Sequence, residues 1–316
     1  MALPTLLDIA RANGSDAVVG LIDETTKVHP ELRVISARTI KGLNYKTLVR
    51  VGLGNTAGSF RNANEGVVPH VHQYENRLVE TYILNPRWQC DKAVADRHED
   101  GALVFIAQEA EGTLEGEMQA LSKQFYYGAA SGLANAKAFP GLLDMYDATN
   151  MSVDAAGTTD STCSSVWLVR FGPKHVQWVW GNNGELQPSD IRIESVPMGT
   201  TPESYMEAYV QTFLGYPGLQ VASLLSVVRI KKLTADSGKG LTDALISTAL
   251  AKFPEGTTPD AIFMGKRSHG QLQAGRTAVN PTGAPAPFPT EVMGIAGNAI
   301  PIYVSSGIIA TETLAL

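Results

Sequence analysis

Residues 91–128 read DKAVADRHEDGALVFIAQEAEGTLEGEMQALSKQFYYG. Leu103, Ile106, Ala110, Leu114, Met118, Leu121 and Phe125 recur every three or four positions, which places them along one side of a long α-helix. Gly128 supplies its stop. Asp91, Asp96, Glu99 and Asp100 crowd the start of the segment, where negative charge suits the helix dipole. Gly101, Gly112 and Gly116 each weaken a helix by about 1 kcal/mol relative to Ala, so the pattern predicts close packing or bending there. Glu109, Glu111, Glu115 and Glu117 form a solvated face.

Working toward the N-terminus, residues 44–84 predict a long β-hairpin. Tyr45, Thr47, Val49 and Val51 alternate with Lys46, Leu48 and Arg50. A return strand runs over about 71–84, and residues 52–69 make a tip rich in Gly and Asn. A two-stranded hairpin is marginal alone in water, so this one must rest on the rest of the chain or on a neighbouring subunit. Residues 1–43 read as an arm without a core of its own. Within it Leu6, Leu7, Ile9 and Ala10 suit a short helix that Asn13-Gly14 stops.

Working toward the C-terminus, the chain becomes mixed α/β from Phe139 onward. Residues 165–171 and 175–180 predict a hairpin around Gly172-Pro173, carrying Trp167, Trp178 and Trp180. Thr201-Pro202-Glu203 reads as the start of a short helix with Tyr205, Tyr209 and Phe213 on one side and Gly215 at its end. Residues 219–233 read as one long strand. Thr242 caps a helix that buries Leu245, Ile246, Ala249, Leu250 and Phe253. Residues 261–264 and 300–304 are short apolar strands. Between them Pro281, Pro285, Pro287 and Pro289 force an extended loop.

The whole chain has 316 residues, 44% hydrophobic and 18% charged. That length suits about two domains, or one large elaborated domain. Disorder needs low hydrophobicity with high net charge, so this is a folded chain, and its low charge points to a surface that is not that of an ordinary monomer. The net charge of −6 is uneven: residues 91–160 hold 12 acidic and 4 basic groups. No Lys/Arg stripe marks a nucleic-acid-reading surface. Cys90 and Cys163 are too far apart for a metal knuckle and predict two buried thiols. The start lacks a basic region and Asp8 interrupts its apolar run, so it does not read as a secretory signal. Residues 292–311 are uncharged but broken by Gly, Asn, Pro and Ser, which predicts a buried strand with turns instead of a membrane span.

No catalytic, cofactor-binding or metal-binding residue is expected. GLGNTAG at 52–58 misplaces its third glycine for a dinucleotide turn, and no helical pattern follows it. His70 and His72 lie two apart with Glu75 near, short of the three or four ligands that zinc needs. His29, His98, His175 and His269 read as isolated. Gly238-Lys239-Gly240 and Gly265-Lys266-Arg267-Ser268 lack the earlier glycine of a phosphate loop.

Eleven phrases stand out along the chain. They are NGSD at 13–16 with VVG at 18–20, RTIKG at 38–42, FRNANEG at 60–66, YENRL at 74–78, DKAVAD at 91–96 and FPGL at 139–142. Then come SSVW at 164–167, FGP at 171–173 with VQW at 176–178, PGLQ at 217–220 with RI at 229–230, DSGKGLTD at 236–243 and NPTGAPAP at 280–287. In that order and spacing the chain resembles the major capsid proteins of tailed bacteriophages, the short-tailed subgroup in particular, which share the Hong Kong 97 fold. The likeness covers nearly the whole chain.

The resemblance implies an α+β capsid fold. Its parts are an N-terminal arm at 1–43, an extended loop at 44–84, a peripheral domain with a spine helix at 85–129, and an axial α/β domain at 130–305. Strands near 219–234 and the C-terminus would return to the periphery. It implies a subunit, not an enzyme, that forms hexamers and pentamers closing an icosahedral shell around double-stranded DNA. Its partners would be itself, a scaffolding protein, a portal at one vertex and a decoration protein, with no sequence-specific DNA contact and no membrane. The scaffolding protein is expected as a separate chain because the sequence starts directly with the arm. The shell is expected to close without covalent cross-links, and the acidic 91–160 segment to face the DNA. The product would be made in the bacterial cytoplasm and reside in the virion. An encapsulin-like compartment shell is the alternative within the fold, and a cytosolic nucleotide-binding enzyme the alternative outside it.

Overall fold

The computed structural model describes residues 25, 27–54, 56, 58–129, 131–197, 205–281, 284–295 and 297–315. The expected helix at 6–10 and the Thr201-Pro202-Glu203 cap lie outside them. In chain order the elements are α1 (Pro30–Val34), β1 (Ala37–Thr39), β2 (Asn44–Gly52), β3 (Gln73–Glu80), β4 (Arg87–Asp91), α2 (Lys92–Ala95), α3 (Ala102–Tyr127), α4 (Leu142–Met145), β5 (Ser152–Asp154), β6 (Ser164–Val169) and β7 (Val176–Trp180). They continue with β8 (Gln187–Pro188), β9 (Arg192–Pro197), β10 (Tyr205–Leu214), β11 (Pro217–Val221), β12 (Val227–Leu233), α5 (Asp243–Leu250), β13 (Ala261–Met264), α6 (Lys266–Ala278), β14 (Glu291–Met293) and β15 (Ala299–Val304).

The long helix α3 joins two apolar cores. Its C-terminal turns bury Leu121, Phe125, Tyr126 and Tyr127 in the larger core. That core is built on a six-stranded sheet, β14-β15-β13-β6-β12-β5, and a three-stranded sheet, β1-β7-β11. Phe125 meets Trp178 of the small sheet at 5.3 Å, and Tyr126 meets Trp167 of the large one at 6.4 Å. The N-terminal turns of α3 instead bury Phe105 and Ile106 in a smaller core with Trp88, Cys90 and Ala95. This core leans on the sheet in which β4 and β9 flank β10. Gly128, at φ +68°, ends the helix as expected. The acids at its start do not occupy its first turn: Asp91 caps the separate turn α2, and Gly101 precedes α3. A Cβ on Gly112 or Gly116 would meet open space, so neither glycine serves close packing within the subunit.

Three sequence expectations give way to tertiary context. Residues 165–180 are not a hairpin, because β6 and β7 belong to different sheets. The 219–233 run likewise splits into β11 and β12 at a turn where the Ser223 hydroxyl accepts from Leu225 N. The two breaks match: β11 pairs with β7, and β12 with β6. Two adjacent chain segments thus turn the same corner between sheets. The expected helix over 205–213 is strand β10. A spacing of four puts Tyr205, Tyr209 and Phe213 on one side of a helix, and equally on one side of a strand, and pairing with β4, β8 and β9 selects the strand. Residues 217–233 therefore pair inside the large body, and 192–214 lie beside β4.

Other expectations hold. Thr242 Oγ1 accepts from Leu245 N at the start of α5, which buries Ile246, Ala249 and Leu250. β13 and β15 run parallel as short apolar strands, β13 buried throughout and β15 mostly half-buried, and β14 with β15 accounts for the uncharged 292–304 stretch. Among the described residues no helix is long and apolar enough to cross a membrane. Cys90 and Cys163 are both free and buried.

Candidate functional site

The feature that sets this chain apart from an ordinary globule is its hairpin. β2 and β3 pair from Asn44↔Glu80 outward to Gly52↔Gln73. Among the described residues the two strands pair with no other strand, as a two-stranded sheet by themselves. Tyr45, Thr47 and Val49 turn inward, as their alternation requires. Val51, beyond the body, is exposed.

The root of the hairpin is fixed by polar contacts. Tyr45 OH donates to Gln220 Oε1, which also receives Gln177 Nε2 at 2.9 Å. Gln220 Nε2 in turn donates to Pro173 O at 2.7 Å. The Arg38 guanidinium lies 4.3 Å over the Tyr45 ring. Burial pushes the Tyr45 phenol above its ordinary pKa, so it stays a donor. Arg77 Nη1 reaches Ala222 O at 2.9 Å, and Tyr82 N reaches Pro217 O at 2.9 Å.

Away from the root the hairpin exposes apolar groups. Nearly half of the exposed large apolar side chains among the described residues fall between Leu43 and Ile83, with Phe60 97% exposed. The strands carry Lys46, Leu48, Arg50, Tyr74 and Leu78 outward on one face, which has two cations and whose acid, Glu80, sits at the root. The tip is ordered locally: Asn62 N donates to Glu65 Oε2 at 3.0 Å and Arg61 Nη1 to Glu65 O at 2.7 Å. The Asn62 amide holds the Glu65 carboxyl below its ordinary pKa. No helix follows GLGNTAG among the described residues, so the nucleotide reading has no frame there. His70 pairs with Ser59 Oγ at 2.5 Å and His72 accepts from Gly54 N at 3.3 Å, so both histidines tie the tip together. No metal-holding cluster of His, Cys, Asp or Glu occurs among the described residues.

A groove of about 620 Å3 runs beneath the middle of α3, between Leu103, Ala107, Ala110, Leu114 and Met118 on the helix and Ile191 and Phe213 opposite. Glu111 and Glu115 stand on its rim. The segment leading into α1 reaches that rim: Lys27 N donates to Glu115 Oε1 at 3.3 Å, and Gln119 Nε2 donates to Thr25 O at 3.1 Å. From there residues 30–39 dock on the body. Glu31, fully buried, accepts from Ser122 Oγ and, at 3.1 Å, from Tyr126 OH. β1 adds to β7 in parallel. Glu31 and Ile35 anchor this stretch of the arm in its own subunit while residues 36–39 stay exposed, a docking that sequence reading missed because it depends on one buried acid.

What the fold and the projecting hairpin define is a structural subunit of the Hong Kong 97 capsid type. Residues 11–282 match the family described as Major capsid protein GP7, and the chain belongs to that family. It forms the capsid shell by self-association and is a virion component. A chain in the near-atomic structure of bacteriophage Epsilon15 superimposes with a TM-score of 0.75 at 23% identity, covering 99% of this chain and 97% of that one. A capsid chain of the myovirus XM1 gives 0.49 at 10% identity, covering 69% and 97%. A chain of the SrpI encapsulin complex of Synechococcus elongatus PCC 7942 gives 0.42 at 11% identity, covering 73% and 95%. No curated protein matches the chain in sequence.

Proposed function

We propose that the hairpin is the principal link between subunits, its outward face lying in the α3 groove of a neighbour. The complementarity of the two surfaces carries this reading. Lys46 and Arg50 flank Leu48, Tyr74 and Leu78 on the hairpin, while Glu111 and Glu115 flank an apolar floor on the helix. Subunits joined head to tail in this way close into rings, here hexamers and pentamers of an icosahedral shell around double-stranded DNA. In this reading residues 1–43 are the arm, 44–84 the extended loop, 85–129 together with 187–214 the peripheral domain, and the remainder to 305 the axial domain.

A scaffolding protein guides assembly, a portal occupies one vertex, and a decoration protein joins the finished shell. Closure is non-covalent and no reaction is catalysed. The acids of 91–160 that lie outside the hairpin contact face the DNA, where like charge lets it slide. Synthesis takes place in the bacterial cytoplasm. Removing the tip residues 55–64 tests the link. The expected outcome is a subunit with unchanged circular dichroism and no shells in negative-stain micrographs; shells of normal size would overturn it.

A further inference from the structure

The proline loop between α6 and β14 is ordered in a way its role as a connection does not require. Residues 284–289 read Ala-Pro-Ala-Pro-Phe-Pro. Each proline fixes its own φ and holds the residue before it extended, which favours a short polyproline II strap, and the structure has neither helix nor strand over 284–289. One side of α6 grips its backbone. His269, Gln273 and Thr277 lie four apart along that helix. His269 Nε2 lies 2.9 Å from Pro289 O, Gln273 Nε2 donates to Ala286 O at 2.8 Å, and Thr277 Oγ1 accepts from Ala286 N at 3.0 Å. Beyond the helix, Asn280 Nδ2 donates to Ala284 O at 2.9 Å. The His269 ring also lies 5.1 Å from that of Phe288.

These contacts hold the main chain and leave side chains outside. Pro285, Pro287 and Phe288 are exposed, and Met293 beside them lines the same shallow groove of about 390 Å3. Fixing a segment costs conformational entropy. Of its rings only Pro289 is buried, so burial offsets none of that cost for Pro285, Pro287 and Phe288, but a segment already held in its bound shape is a better ligand.

We infer that this strap is a presented polyproline ligand, read by an aromatic-lined groove on a protein other than this chain. Polyproline II segments are recognised by grooves of that kind. A second copy does not offer one among the described residues: the other exposed aromatic rings, Phe60, Tyr74 and Tyr205, sit on the hairpin tip, β3 and β10. The segment is uncharged, and the nearby Arg276 is already held by both carboxylate oxygens of Asp243, at 2.9 and 2.7 Å. Recognition therefore rests on shape and ring stacking. The inference is independent of the hairpin contact, which lies elsewhere on the subunit.

The experiment uses assembled shells of the full chain and two general polyproline readers as probes, an isolated WW domain and an isolated SH3 domain. Saturable binding by at least one is expected. Pro285→Ala with Pro287→Ala should weaken it by about tenfold or more. Gln273→Ala with Thr277→Val keeps every proline and frees the backbone, and should weaken binding severalfold through lost preorganisation. Circular dichroism and shell formation should be unchanged in both variants. No saturable binding by either probe, or equal binding after the proline substitutions, overturns the inference. So does failure of the proline variant to form shells from a folded subunit, since that outcome makes the strap a contact between copies.

Discussion

Arg229 and Glu312 are 83 residues apart in sequence and form a 3.0 Å ion pair inside the large core, each side chain only 1% exposed. Tyr127 OH and Ser165 Oγ donate to the same carboxylate at 2.6 Å each, and Arg229 Nε donates to Ser165 Oγ at 2.8 Å. Burial and the Glu312 charge push the Tyr127 phenol well above its ordinary pKa, so it remains a donor. The network ties the last turn of α3, the middle of the large sheet and residue 312 into one polar knot. Glu312→Ala removes from the core the carboxylate that Arg229 pairs with. A loss of about 3–5 kcal/mol is expected, read as a lower urea midpoint of the unassembled subunit; a change under about 1 kcal/mol contradicts the role.

Leu48 is 69% exposed on the hairpin and contributes little to the subunit's own stability. Leu48→Asp should change the melting of the subunit by no more than about 0.5 kcal/mol. It should also abolish assembly, because the new carboxylate would face Glu111 and Glu115 of a neighbour. Sedimentation velocity separates free subunits from shells, and normal shells from this variant contradict the proposed contact.

Burial pushes the Cys90 thiol up to about 11, with the Glu109 and Asp91 charges adding to the effect. Its thiolate is therefore scarce at pH 8 in the folded subunit, and a disulfide reagent should label it only on unfolding. The sign of the linkage follows. The folded state keeps the proton while the unfolded thiol releases it near pH 8.5, so stability is full below that value. It falls as pH rises toward about 11. A Cys90→Ala variant should lose less stability between pH 8.5 and 10.5 than the parent chain; an equal or larger loss contradicts the assignment.

Gly128 ends α3 at φ +68°, and a Cβ there would fall on the Asp144 side chain and the Gly141 backbone. Gly128→Ala adds left-handed strain, of order 1–3 kcal/mol, to that collision. A melting point well below that of Gly112→Ala is expected, since the Gly112 position opens to space. Equal melting points for the two variants would rule this out.

Much of this architecture is written locally. The apolar period of α3, its Gly128 stop, the alternation of β2 and the Thr242 cap each act over a few residues, and the structure keeps them all. The misreadings arise where distant pairing decides. Tyr205, Tyr209 and Phe213 fit two periods at once. The 219–233 run carries no mark at the point where it leaves one sheet for another. α6 gave no apolar stripe because it buries only Ser268 and Leu272. The hairpin was legible as an outlying limb, but the groove it suits was not. Its floor joins α3 to Ile191 and Phe213, about a hundred positions away. Glu31, Arg229 and Glu312 look like surface charges in the sequence, and only the three-dimensional network explains their burial.

Because α3, among the described residues, buries side chains only at its two ends, with Gly112 and Gly116 open to space between them, it is a rod joining two packed blocks. Curvature demanded by the lattice can be absorbed along that rod without disturbing the interior of either block. One polypeptide can thereby serve both the flat facets and the sharp corners of a closed container.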